Sequence, residues 1–303
     1  MAPRGRDAAL IYDLGLLMTL AGAAILAVVT ALALLAYVAP GRAARISTRR
    51  MVLGGGVLFP TVTLGVLLFY ELGVLARVNS ALPADALRIE VIGRQYWWEM
   101  RYRDLNGDID FVTANEVVLP AHSYAEFELV SPDVIHSFWL PGLAGKMDLI
   151  PGRTNRLSLA TGEPVVLRGQ CAEYCGTQHT FMAFDVEVLS EAEFEVWREK
   201  QRAPAVEPAA ALLRDGQAAF LASGCGACHT VRGTPANGTI GPDLTHIGSR
   251  RTIAAGAFPN NTGTLAGWIS DAQELKPGNP MPSFDRLDGR TVRAIATWLT
   301  SLR

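Results

Sequence analysis

Cysteine and histidine are scarce in this chain: its 303 residues include four of the first and five of the second. The four cysteines are not spread out. They fall in two short clusters, "CAEYCGTQHTFM" over residues 171–182 and "CGACH" over residues 225–229, so each is a candidate metal or cofactor donor. An excess of one charge is lacking too, with 27 Lys and Arg against 29 Asp and Glu. That balance gives no polyelectrolyte character and points away from nucleic acid as a partner. No internal repeat or low-complexity tract is evident. What the chain does have is apolar sequence, 50% of its residues, concentrated in the first 75 positions.

From Leu14 to Val38 the chain runs without a charge, longer than the ~20 residues a helix needs to cross a bilayer core. A second uncharged run, Met51 to Tyr70, contains four glycines and Pro60, which neighbouring helices can accommodate in a membrane. These runs predict a transmembrane hairpin over residues 1–85, with spans about 14–38 and 51–74. Arg42, Arg45, Arg49 and Arg50 lie between the spans, against Arg4 and Arg6 before them. The positive-inside rule therefore puts the connecting loop in the cytoplasm and the C-terminal portion outside. A cleaved signal peptide is the rival reading of the first span, but its apolar stretch is too long and a second span follows.

After Ala86 the pattern turns to period two: Leu87, Ile89 and Val91, then Phe127 and Leu129, then Phe184, Val186 and Val188 alternate with charged residues. Turn segments such as "DLNGD" and "LPGLAG" separate the alternating stretches, which predicts an all-β antiparallel sandwich or barrel over 86–203. "SEAEFEVWREK" closes it as a short helix with a capping box at Ser190 and Glu193. "QRAPAVEPAAALL" reads as a semi-rigid spacer, with the linker at 204–212. Residues 213–303 change period again: "GQAAFLASG", "TLAGWISDAQEL" and "RTVRAIATWLTSL" each predict a helix. In the last, Val292, Ile295, Ala296 and Leu299 mark one buried face.

"CGACH" has the C-x-x-C-H spacing of c-type haem attachment, two thiols for the porphyrin and an adjacent histidine for iron. Cys225 and Cys228 are then the covalent anchors and His229 the proximal ligand, the rival being a local disulfide beside an ordinary histidine. Met281, between prolines in "KPGNPMP", is the candidate sixth ligand, with His246 as its rival; Met/His ligation suits electron transfer. From the haem motif through "GPDL" to the Met281 loop and terminal helix, this region resembles a class I cytochrome c domain.

The 171–182 cluster offers two thiolates, an imidazole and a thioether, a soft donor set that favours copper. Zinc stays open on paper, though it would leave Met182 without a role. One mononuclear copper needs a single cysteine. A second thiolate can bridge two coppers, so that neither ion changes geometry much on reduction. A second histidine is available in "SPDVIHSFWLPGL", as His136 at the end of a predicted strand; a half-buried structural histidine is the plainer reading.

Taken together, "SPDVIHSF" and "CAEYCGTQHTFM" resemble subunit II of the haem–copper cytochrome c oxidases, whose cupredoxin domain carries the dinuclear CuA centre. The resemblance implies Cys171 and Cys175 as bridging thiolates, His136 and His179 as terminal imidazoles, Met182 as a weak thioether and Glu173 as a ligand through its backbone carbonyl. It also implies a magnesium or manganese ion at the Glu173 carboxylate, shared with the catalytic subunit. "GKMDLIPGR", with Lys146, Asp148 and Arg153, matches the family segment that faces that subunit. The whole chain then reads as a two-helix transmembrane hairpin, an all-β cupredoxin-like sandwich and a C-terminal all-α class I cytochrome c.

What this implies is an electron-input subunit of a terminal oxidase in the bacterial inner membrane, multi-pass, with both soluble domains on the periplasmic side. Electrons from cytochrome c or another external donor would pass through haem c to CuA and on to haem a of subunit I, which also holds CuB; subunit III and membrane lipid are further partners. A fused donor sits at up to millimolar effective concentration and needs no strong docking patch. The pattern is broken in two places. "GRQYWWEMRY" has Arg94 and Tyr96 where the family has His and Trp, leaving Tyr96, Trp97 and Trp98 as candidates for the electron route. Leu53 stands where many relatives carry a glutamate near a proton channel. Rival functions are a subunit of a nitric oxide reductase-like complex and a membrane-anchored copper-binding module; nitrous oxide reductase would need a propeller domain.

Overall fold

The chain begins with two long apolar helices. In the computed structural model, which describes residues 2–43, 47–78 and 81–303, α1 spans Arg6–Val38 and α2 spans Phe59–Val78. Mean hydropathy reaches 2.4 in the first helical stretch and 2.0 in the second, Thr48–Val78, and neither apolar window is buried inside the chain. Helices that are apolar all round, with leucines and phenylalanines such as Leu20, Leu26 and Phe69 outward, have the length and composition to cross a membrane. Arg42, Arg49 and Arg50 are exposed between them; Arg45 lies outside the described residues. Before α2, Met51–Leu58 forms a π-helical stretch. It ends just ahead of Pro60, whose ring would crowd the carbonyl four residues back in an ordinary α-helix, and its three glycines have no Cβ to resist the wider turn.

The β-region is a sandwich of two five-stranded sheets. Its strands are β1 (Leu87–Arg94), β2 (Trp97–Arg103), β3 (Ile109–Ala114), β4 (Glu116–Pro120), β5 (Tyr124–Val130), β6 (His136–Trp139), β7 (Lys146–Leu149), β8 (Asn155–Ala160), β9 (Val165–Cys171) and β10 (Ala183–Leu189). One sheet runs β3-β2-β1-β5-β8 and the other β4-β10-β9-β6-β7. The antiparallel expectation needs correction, because β1 pairs with β5 and β4 with β10 in parallel. Period-two alternation is the same in both kinds of ladder and does not distinguish them. The alternating residues fill the space between the sheets, where Trp98, Phe127, Phe138 and Phe184 are fully buried and Phe138 stacks on Phe184 at 4.7 Å.

Residues 4–6 lie on this sandwich: the Arg4 amide donates to the Gly142 carbonyl at 2.7 Å, Gly5 bridges Thr161, and the guanidinium of Arg6, the first residue of α1, lies over the Tyr124 ring. At the other end α3 (Glu191–Arg202) starts on the capping box of Ser190 and Glu193. Arg198 and Arg202 both bind Asp110 of β3, at 3.0 and 2.7 Å. The spacer is shorter than the sequence suggests, since Gln201 and Arg202 complete α3 and Ala211 already starts the next helix.

The last region is helical: α4 (Ala211–Ala222), α5 (Thr262–Ser270), α6 (Ala272–Leu275) and α7 (Gly289–Ser301). The single helix expected over "TLAGWISDAQEL" is two, because Asp271 leaves the helical region at φ −131°, ψ 44°. α4 crosses α7 at Gly216, where an added Cβ would lie 2.2 Å from the Ala294 carbonyl oxygen. Close approach lets Phe220 meet Trp298 edge to face at 5.1 Å, and Val292, Ile295, Ala296 and Leu299 are all buried as their spacing requires.

Candidate metal and haem sites

β9 and β10 are neighbours in the middle of their sheet, and the 171–182 loop joins them, entering at Cys171 and leaving after Met182. Rigid strands at both ends hold the two donors. Cys171 Sγ and Cys175 Sγ are 3.8 Å apart, far beyond the ~2.05 Å of a disulfide, and both thiols are buried. Cys175 Sγ is 3.7 Å from His179 Nδ1 and 3.8 Å from Met182 Sδ. The Cys171 thiol points to the Glu173 carbonyl at 3.2 Å. His136 comes from the adjacent strand, with Nδ1 4.0 Å from Cys171 Sγ. It opens β6 instead of ending a strand, because Ser131 and Asp133 build a turn just before it.

Asp133 sets the state of that imidazole. Its carboxylate lies 2.8 Å from His136 Nε2 and can only accept, so the proton sits on Nε2 and Nδ1 keeps its lone pair toward the thiols. Burial works against both charges. The hydrogen bond from His136 and the amides of Val134 and Gln95 nevertheless hold Asp133 down to about 2, and Asp133 together with Cys171 raises His136 above its ordinary value. The thiols split the same way: the Cys175 hydrogen bond holds Cys171 well below the usual thiol range despite burial, while Cys171 and burial push Cys175 up.

Among the described residues, His136, Cys171 and Cys175 form a buried group of donors within 4.8 Å of one another, with His179 and Met182 at its rim. Their chemistry fits copper: two sulfurs placed to bridge, two imidazole nitrogens and a thioether. Glu173 is exposed. Lys146 and Asp148 lie on β7 beside β6, and Lys146 Nζ reaches the Ala172 carbonyl at 3.5 Å. Gly93 makes room for His136, since a Cβ there would lie 3.0 Å from the ring.

The helical region encloses an apolar cavity that exposes Cys225, Cys228, His229, Met281, Trp268 and Leu299. His229 Nδ1 lies 2.8 Å from the Pro242 carbonyl, which can only accept, so Nε2 is the free nitrogen. Burial keeps this imidazole below its ordinary pKa and hence neutral, as an iron ligand must be. A Cβ at Gly241 would come within 2.6 Å of the ring, so glycine is what lets the chain pass there. Met281 is presented by Asn279, which accepts from its amide at 2.8 Å, and by Gln273, which donates to its carbonyl at 2.6 Å. A haem bonded through two thioethers fits this arrangement. His246, the rival ligand, is turned instead to the Ala203 carbonyl at 3.0 Å.

The aromatic stretch divides. Trp98 is sealed in the sandwich core, edge-on to His136 at 5.9 Å. Tyr96 and Trp97 reach the wall of the haem cavity, and Tyr96 also meets Thr177 of the 171–182 loop at 3.2 Å. Further side-chain contacts join the sandwich to the helical region, among them Arg250 with Glu116 at 3.6 Å, Thr252 with Asp185 at 2.5 Å and Arg251 with Glu187 at 3.4 Å. A bonded docking surface is therefore present, where the tether alone had made one unnecessary.

The family profile for the periplasmic domain of cytochrome c oxidase subunit II matches residues 109–189, and that for cytochrome c matches residues 213–303. Cytochrome c oxidase subunit 2 of Alkalihalophilus pseudofirmus is 38% identical over 220 residues, 72% of this chain and 62% of that one. The subunit 2 of Bacillus sp. strain PS3 is 33% identical over 226 residues, covering 71% and 62%. The crystal structure of the periplasmic domain of cytochrome oxidase subunit II of Bradyrhizobium japonicum is 31% identical, covers 40% of this chain and 97% of its own, and superposes with a TM-score of 0.37. The chain thus spans 62% of the length of the two relatives named first. With a cupredoxin-like sandwich, a helical cytochrome c domain and two apolar N-terminal helices, it belongs to the cytochrome c oxidase subunit II family, in a form that carries a C-terminal cytochrome c domain.

Proposed function

We propose that this chain is the electron-input subunit of a haem–copper terminal oxidase that reduces oxygen to water. The observation that carries the reading is the convergence of His136, Cys171, Cys175, His179 and Met182 on one buried point, beside a haem cavity walled partly by the sandwich's own Tyr96 and Trp97. Copper and haem held there would supply one-electron chemistry. Cys171, Cys175, His136, His179, Met182 and the Glu173 carbonyl would hold the copper. Cys225, Cys228, His229 and Met281 would hold the haem.

The protein's part is positioning. Asp133 keeps the His136 proton on the far nitrogen, Pro242 does the same for His229, and the apolar walls exclude water from both sites. The external donor would be a cytochrome c or another carrier, and the acceptor haem a of subunit I, beside CuB. Subunit III and a magnesium or manganese ion at the Glu173 carboxylate complete the assembly. The hairpin is set in a bacterial inner membrane with both soluble domains on the periplasmic side. Two spans return the chain to the side it started from, and the contacts of Arg4 and Gly5 with the sandwich support that topology.

The test is co-purification. A tagged full chain taken from membranes in mild detergent is expected to bring down a haem a-containing polypeptide and oxygen consumption driven by reduced cytochrome c. A preparation rich in this chain, with haem c but neither haem a nor oxygen uptake, would overturn the reading.

A further inference from the structure

Lys276 opens the loop that presents Met281, and the pattern "KPGN" would ordinarily leave such a lysine in solvent. It is instead 2% exposed. Its ammonium donates to two carbonyls, Phe181 of the sandwich at 2.8 Å and Ala254 of its own domain at 2.9 Å. Phe181 lies between His179 and Met182, and Lys276, Ala254 and Ala255 all reach the wall of the haem cavity. A lysine so enclosed is uncommon, and burial draws it down to about 8. Among the described residues the hydrogen-bond partners of its ammonium are these two carbonyls.

The backbone that meets it is strained. Ala254, Ala255 and Gly256 all have left-handed φ, at 53°, 59° and 75°, a conformation that is unfavourable for an alanine and persists where surrounding contacts over-determine it. Here the contacts are visible. The Ala254 carbonyl accepts from Lys276, the Ala255 carbonyl from the amide of Ala183, and the Gly256 carbonyl from Arg168, the last two at 2.9 Å each. Ala183 directly follows Met182. On the other flank Gln178 donates to the Pro277 carbonyl at 2.8 Å. Each of these hydrogen bonds involves a residue within a few positions of either the 171–182 loop or the Met281 loop.

We propose that Lys276 is a positioning residue for electron transfer between the two centres, pinning the Met281 loop and the 254–256 tongue to the Phe181 carbonyl and so fixing the distance between haem cavity and copper loop. The inference rests on the functional reading above, but the latch itself does not need the metals.

The test uses the full chain in its complex, as K276M, which removes the donors, and K276Q, which keeps a shorter one. Hydrogen exchange at the Ala183 amide is measured alongside the absorption and paramagnetic spectra of both centres, the KM for the donor and the rate of internal equilibration after flash reduction of the haem. In K276M the internal rate is expected to fall about tenfold or more and Ala183 exchange to rise about tenfold, with spectra and KM unchanged and K276Q between K276M and the parent. A role in stability alone would lower the unfolding midpoint and leave the internal rate untouched. If both K276Q and K276M keep the parent's internal rate and Ala183 exchange, the latch is wrong. Absence of copper or haem signals from the parent would refute the functional reading instead, while the exchange measurement would still decide the latch.

Discussion

Asp133 shows how much of a metal site sits on residues that never touch the metal. It fixes the tautomer and direction of His136 through one hydrogen bond of 2.8 Å, and it is itself held by the backbone amides of Gln95 and Val134 at 2.7 and 2.6 Å. Asp133→Asn keeps the shape of the turn but weakens the hold on the Nε2 proton. Copper retention, followed by competition with a chelator, is expected to fall roughly 10–100-fold, the usual cost of losing such a partner; retention equal to that of the parent would show that the sandwich alone orients the imidazole. Asp133 was hidden in the sequence for a physical reason: its role depends on a turn that brings it back onto a residue three positions later, and "SPD" reads simply as a turn. Cys171, Cys175, His179 and Met182 were legible because one loop carries them all. His136, 35 positions from Cys171, was legible only through the family pattern. Lys276 was hidden because its partners come from two distant segments.

At the scale of elements, α4 and α7 depend on one missing side chain. Gly216→Ala would drive a Cβ into the backbone of α7, and backbone cannot swing aside as a side-chain tip can. The expected loss is about 1–3 kcal/mol of stability, read by denaturant unfolding followed at the haem; a neutral result would mean the helices can separate without cost. α3 is tied differently, through the ion pairs of Arg198 and Arg202 with Asp110. The hydrogen bond from Arg202, then that from Arg198, holds the Asp110 carboxyl below its ordinary value in spite of burial. Its contribution is therefore present above the ordinary carboxylate range and lost as pH falls through the depressed value. Asp110→Asn should be less stable than the parent at neutral pH, by about 1 kcal/mol or less for a pair that solvent screens, and the two should converge in acid. A difference that persists once acid has protonated the Asp110 carboxyl would assign the effect to packing instead. The period changes at residues 86 and 213 were enough to read helix, strand and helix regions from the sequence. The break at Asp271 was not, since no proline or glycine marks it, and the parallel pairing of β1 with β5 was not, since side-chain alternation is blind to strand direction.

At the scale of the molecule, the cytochrome domain is more than tethered. Arg250 and Glu116 meet across the seam with side chains only 6% and 12% exposed, and Lys276 is enclosed at the same seam. Salt screens exposed charges over about 8–10 Å but reaches buried pairs poorly. Internal transfer between the centres should therefore change by less than about twofold when ionic strength is raised tenfold, whereas delivery by a diffusing external donor should slow markedly; a steep loss of the internal step with salt would mean that the docked arrangement is held by exposed charges. Electron paramagnetic resonance on the detergent-solubilised full chain, with copper and iron quantified in the same sample, decides whether one chain carries both a dinuclear copper centre and a haem. Two coppers and one iron per chain are expected, with one unpaired electron shared between two equivalent coppers. A single copper with a mononuclear signal, or zinc bound tightly in its place, would rule out the dinuclear centre.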